Sequence, residues 1–111
     1  MRVYVAGPLT HGDRMKNIRA AIEVGESLRS YGHHPFVPHL NDLWQLVYPQ
    51  TWKEWMRIDL AWVEVSQALV RIPGYSRGAD EEWSHAIKHG VPVFDSVAEF
   101  LDWEEKRNVE R

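Results

Sequence analysis

Short apolar runs alternate along the chain with longer segments whose apolar residues recur every three or four positions. Arg2 to Ala6 is apolar, β-branched and aromatic and is halted by Gly7-Pro8, which predicts a buried strand. After Asp13, read as an N-cap, Met15, Ile18, Ile22, Gly25 and Leu28 return at helical spacing, while Arg14, Lys16, Arg19 and Glu23 take other faces. A helix to about Ser30 follows, closed by Tyr31-Gly32. Pro35 to Pro38 predicts a second strand, and His39 to Gln50, with two turn signals, an irregular loop. Thr51 and Glu54 form a capping box, which opens a helix to about Ser66. Ala68 to Ile72 reads as a third strand, ended by Pro73-Gly74. Ser76 caps a helix to about His89, with Gly90 at its C-terminal stop. Val91 to Phe94 is a fourth strand, and Ser96 and Glu99 open a last helix that frays near Arg107.

This βαβαβαβα order predicts an α/β fold, because each crossover between parallel strands must return over a face of the sheet. The expected form is a three-layer parallel sheet of flavodoxin or Rossmann type with strand order 2-1-3-4. Its switch point lies between the first and third strands, and ligands bind in such sheets outside the carboxyl ends of the strands at that crevice. No repeat, linker or low-complexity segment divides the chain, so residues 1–111 are expected to form one domain. A chain of that size buries about 65% of its unfolded surface, enough for a core without staples.

Composition alters this picture at a few points. The absence of Cys excludes disulfides and thiolate metal sites. A net charge of −3 gives no reason to expect a nucleic-acid polymer as partner, though local donors can still hold a small anion. No stretch approaches the ~20 apolar residues that span a bilayer, and the first apolar run is too short for a signal-peptide core. No membrane association is expected, and the cytoplasm is the expected compartment. Six Trp are many for this length; four fall between Trp44 and Trp62, where they compensate for a small core or build an interface.

Two loops leave the switch point, Gly7 to Gly12 and Pro73 to Ala79. The second opens a helix, so its free N–H groups and the positive end of the helix dipole favour an anion, with Ser76 and Arg77 as further donors. A plain cap and turn explains the same residues, since neither a Walker sequence nor the G-x-G-x-x-G spacing is present. On the helix after Ser76, Ala79, Trp83, Ala86 and Gly90 form the face toward the sheet. Glu82 sits at the margin of that face and points back toward the helix start, the position of a nucleophile or base. A half-exposed carboxylate favoured by the dipole is the plain alternative. Asp59 falls inside the apolar stripe of Trp52, Trp55, Met56, Leu60 and Val63, so it is either functional or paired with an Arg such as Arg57 or Arg71. Two carboxylates at one crevice suit glycosidic chemistry. His33, His34 and His39 read as exposed loop histidines. His85 and His89 are four apart on a helix and could chelate, but no third ligand is evident, so neither a metal nor any other cofactor is expected.

These residues carry a resemblance. The chain resembles the nucleoside 2-deoxyribosyltransferase superfamily, including its 2′-deoxynucleoside 5′-monophosphate N-hydrolases and a branch of short bacterial proteins. The likeness runs in order over residues 2 to 95. It rests on Tyr4-x-x-Gly7, Val37-Pro38-His39, the helix of Asp59, and Ser76-x-Gly78-x-x-x-Glu82-x-x-x-Ala86, the most specific block.

The resemblance implies that Glu82 attacks the anomeric carbon to form a covalent glycosyl–enzyme intermediate, with Tyr4 orienting it and Asp59 assisting departure of the base. It implies that Gly7, Pro8, Leu9 and Thr10 line the sugar and phosphate region, with His39, Ser76, Gly78 and Ala79 also binding substrate. Ser76 is similar to the hydrolases that accept a 5′-monophosphate, where nucleoside transferases carry Asp. An Asp would repel a phosphate, whereas a Ser at a helix N-terminus donates to it. A small-molecule nucleoside or nucleotide is the expected substrate and a homodimer the expected assembly, hydrolysis being favoured over transfer. The alternatives are a deoxyribosyltransferase acting on free nucleosides, a nucleotide-binding or sensing module without turnover, and an interaction protein whose Trp-rich middle is a dimer face.

Overall fold

In the computed structural model, which describes residues 1–109, the first strand β1 (Arg2–Ala6) lies at the centre of the sheet. It buries Val3, Tyr4, Val5 and Ala6 on both sides, as a strand covered by helices on each face must. It pairs in parallel with β2 (His34–Phe36), Tyr4 opposite Phe36, and with β3 (Ala68–Arg71), Val5 opposite Val70. The fourth strand, β4 (Val93–Phe94), pairs with β3, which completes the order β2-β1-β3-β4. The architecture is therefore the three-layer α/β fold and strand order that the sequence predicts.

Alternate residues of β1 and β3 feed two cores. Val3, Val5, Ala68 and Val70 pack with Ala21 and Leu28 of α1 (Arg14–Ser30) and Phe100 of α5 (Val97–Val109). Tyr4, Ala6 and Leu69 face the opposite way, onto Val63 of α3 (Trp52–Glu64) and Ala79 and Ala86 of α4 (Arg77–Lys88). Asp13, Thr51, Ser76 and Ser96 each accept a backbone N–H three residues on, so all four expected caps are in place. Glu54, however, bonds Arg57 rather than closing the box on Thr51.

Three local expectations are corrected. On α1, Met15 and Ile22 face solvent, and the buried residues are Ala21, Gly25 and Leu28. The cause is close approach: a Cβ at Gly25 would stand 2.8 Å from Val37 Cγ2, so small residues turn inward here. Between Pro38 and Val47 the chain is helical rather than irregular, with a 3-10 turn at Pro38–Asn41 and a short helix α2 (Asp42–Val47). Among the described residues no side chain caps either piece, so the capping signal is missing and only Pro38 marks the start of the turn. The second strand begins at His34, not Pro35, and ends at Phe36, while the fourth is only Val93–Phe94. Among the described residues, no helix is long and apolar enough to cross a membrane.

Candidate active site

The carboxyl ends of β1 and β3 and the N-termini of α3 and α4 enclose a cleft of about 420 Å³, within the usual size of a small-molecule site. Two loops form its rim. The first leaves β1 at Gly7, where a Cβ would fall 2.8 Å from Ile72 Cβ, so only Gly lets the strand ends lie this close. The second ends at Ser76, whose Oγ accepts from Ala79 N at 3.1 Å and starts α4. The rings of His11 and Tyr75, one from each loop, meet edge to face at 4.9 Å.

Less than two turns into α4, Glu82 lines the floor of the cleft and is only 4% exposed. The Tyr4 hydroxyl donates a hydrogen bond to its Oε2. Tyr4 is fully buried, with its ring stacked on Phe36, which stacks in turn on Trp62. Tyr4 therefore holds the carboxyl from behind, outside the cleft lining. Asp59 enters from α3 and lines the same space, with its Oδ1 buried and without a hydrogen-bond partner among the described residues. The alternative role, a partner for Arg57 or Arg71, is not realised: Arg57 pairs with Glu54, and Arg71 with Asp80 and the carbonyls of Ile72 and Gly74.

Removal from water sets the electrostatics. Burial pushes the Glu82 carboxyl from 4.5 up to about 8; the Tyr4 hydrogen bond works against this, and the charge of Asp59 adds to it. Burial alone raises Asp59 from 3.8 to about 6. Tyr4 is held well above its ordinary range by burial and by the two acids in front of it. Two neighbouring acids with separated proton affinities can divide the roles of proton carrier and nucleophile.

Gly7, Leu9, Thr10, His39, Ser76, Gly78 and Ala79 all line the cleft. Pro8 does not; its ring lies against Gly74 and its carbonyl accepts from His39. His39 is itself buried, contrary to its reading as an exposed loop residue, and burial lowers its proton affinity. Its Nε2 donates to the carbonyls of both Gly7 and Pro8, at 3.2 and 3.1 Å, and so fixes the first loop. His33 is also buried, against the Phe100 ring, while His34 is exposed as expected. The sequence reading missed the outer wall, formed by Trp52, Trp55, Gln45 and the Arg14–Asp42 ion pair. The cluster of Trp was the available signal. Arg77 lies over the Trp52 ring at 4.5 Å, a cation–π contact at the mouth.

The profile of DUF4406, a domain of unknown function, matches residues 1–95. The chain belongs to the DUF4406 family. No curated protein matches it. Among solved structures, this DUF4406 chain resembles a 2-deoxyribosyltransferase from the psychrotolerant bacterium Bacillus psychrosaccharolyticus. The TM-score is 0.60 with 23% identity, covering 87% of this chain and 74% of that one. At that identity the likeness is one of fold. The DUF4406 site thus joins two desolvated acids, an aromatic wall and a helix N-terminus in one cleft of this fold.

Proposed function

We propose that the chain cleaves, or transfers at, the N-glycosidic bond of a nucleoside 5′-monophosphate through a covalent glycosyl–Glu82 intermediate. The observation that carries this reading is the Glu82 carboxyl, buried on the cleft floor and gripped by Tyr4, with a second acid, Asp59, in the same cleft, its Oδ1 without a hydrogen-bond partner among the described residues. Between about pH 6 and 8 the two acids share one proton. In the reacting form that proton has passed from Glu82 to Asp59, the Glu82 carboxylate attacks C1′, the C1′–N bond breaks, and the departing base takes that electron pair. Asp59 supplies a proton to the base. Water then attacks C1′ and breaks the ester to Glu82, its proton returning to Asp59; a second base in place of water gives transfer. Two displacements return the sugar with retained configuration.

Trp52 and Trp55 offer stacking surfaces for the base. The N-terminus of α4 with Ser76, and Arg77 at the mouth, offer donors to a phosphate. A free nucleoside is the second reading. It is favoured by the engagement of Arg14, a cation of the cleft lining, with Asp42, which leaves it no free charge for a phosphate. The solved transferase of similar fold lends support to nucleoside chemistry in general. A homodimer is the assembly we favour, since Leu43, Leu46 and Val47 of α2 stand exposed beside the mouth.

Incubation with a panel of nucleosides and their 5′-monophosphates, with chromatographic detection of free base, tests the reading. Base release from monophosphates faster than from free nucleosides is expected. The reverse order would remove the phosphate, and no release from any member would remove the reaction.

A further inference from the structure

The last turns of α3 and α4 meet at the end of the molecule opposite the cleft, because both helices run antiparallel to the strands and start at the cleft. Glu64 closes α3, His85 lies in the last turn of α4 and His89 caps its C-terminus. One potential ligand atom from each lies within 4.8 Å of the others. The sequence spacing shows only the His85–His89 pair; the fold supplies the third member.

We propose that Glu64, His85 and His89 form a binding site for a divalent cation of the zinc class. The deciding detail is how His89 is held. Its Nδ1 donates to the His85 carbonyl at 2.9 Å, which fixes the ring and leaves Nε2 as the nitrogen on the side of Glu64, 3.5 Å from Oε1. A ligating His whose other ring nitrogen donates to a backbone carbonyl is the common second-shell arrangement of metal sites.

The remaining features agree. His85 Nε2 is 2.8 Å from the same carboxylate oxygen, so one ion can reach all three groups with small side-chain shifts. The negative ends of two parallel helices point at this corner, which favours positive charge. Two imidazoles and one carboxylate suit Zn²⁺, with water completing a tetrahedron, and do not suit Mg²⁺, which demands oxygen donors. On binding, His85 Nε2 gives up the proton it donates to Glu64, either to solvent or to its own Nδ1; no electron moves. The ion would tie α3 to α4 about 18 Å from the cleft, taking the rise of a 12-residue helix. The inference does not rest on the glycosidic reading.

Calorimetric titration and thermal melting of the untagged chain with ZnCl₂, and with MgCl₂ as control, test the site. One Zn²⁺ per chain is expected, with a melting point raised by about 10 °C at a free concentration a hundredfold above Kd. Mg²⁺ should leave the melt unchanged. His89→Ala and Glu64→Gln should each weaken binding at least ~10-fold, while His34→Ala should not. These groups are at the surface, and a far-UV spectrum of each variant checks its fold. Co²⁺ in place of Zn²⁺ should give visible d–d bands of tetrahedral intensity. Absence of heat and of a melting shift with Zn²⁺ would overturn the proposal. A response that survives in His85→Ala/His89→Ala would overturn it too, by placing the ion elsewhere.

Discussion

Replacing Glu82 by Gln keeps the shape of the side chain and removes its ionisation, and the consequence for stability follows from burial. The unfolded chain ionises this group near its ordinary value of 4.5, whereas in the folded protein burial delays ionisation to about 8. The stability linked to Glu82 is therefore fully present below pH 4.5, falls as pH rises from there, and levels off above about 8. At 1.36 kcal/mol per tenfold change in proton concentration, the interval from 4.5 to 7 costs the wild type about 3 kcal/mol at pH 7. Gln avoids that cost. Its carbonyl accepts from Tyr4, but its amide brings a buried donor whose desolvation costs about 1–2 kcal/mol at every pH. The variant should thus be more stable than wild type by about 1–2 kcal/mol at pH 7 and equal or less stable near pH 5. Urea unfolding followed by Trp fluorescence measures the difference at steps between those values, and Asp59, present in both proteins, largely cancels. A difference that does not change with pH would refute the claim that Glu82 is a desolvated, mainly protonated acid in the empty cleft.

The two cleft acids should give a bell-shaped pH profile of base release with limbs near 6 and 8, belonging to the pair rather than to either residue. Tyr4→Phe removes the donor that lowers the Glu82 pKa, so kcat should fall about 10- to 100-fold and the alkaline limb should move upward; an unmoved limb would deny Tyr4 its positioning role. Asp59→Asn should lower kcat about 100-fold for poor leaving groups and much less for activated ones, because it removes the proton donor but not the attacking group. Gly7→Ala forces a methyl into Ile72 and should lower stability by about 1–3 kcal/mol in chemical denaturation, with a neutral result contradicting the tight junction of β1 and β3.

What the sequence disclosed depended on whether the signal was local. Strand runs, the four side-chain caps and the alternation of elements are written in neighbouring residues, and they led to the observed sheet order. Glu82 was legible because Ala79 and Ala86 fix its helix face, and those residues are buried with it. Asp59 stood out as a charge inside an apolar stripe, but that neither Arg57 nor Arg71 pairs with it became visible only once both were placed. The burial of His33 and His39 could not be read, since it comes from Phe100 and from the carbonyls of Gly7 and Pro8, far away in sequence. The short α2 went unseen because no side chain caps it. Glu64 joined His85 and His89 only through the parallel packing of α3 and α4.

The central claim is that the Glu82 carboxylate bonds to the anomeric carbon, and intact-protein mass spectrometry addresses it most directly. A 2-fluoro-substituted nucleoside 5′-monophosphate slows the second displacement by destabilising positive charge at C1′, so the intermediate accumulates. The expected result is a mass gain of one fluorinated sugar phosphate per chain, mapped by proteolysis to the peptide that carries Glu82 and absent from Glu82→Gln. Base release from the natural substrate without any such adduct, or an adduct on another residue, would contradict it.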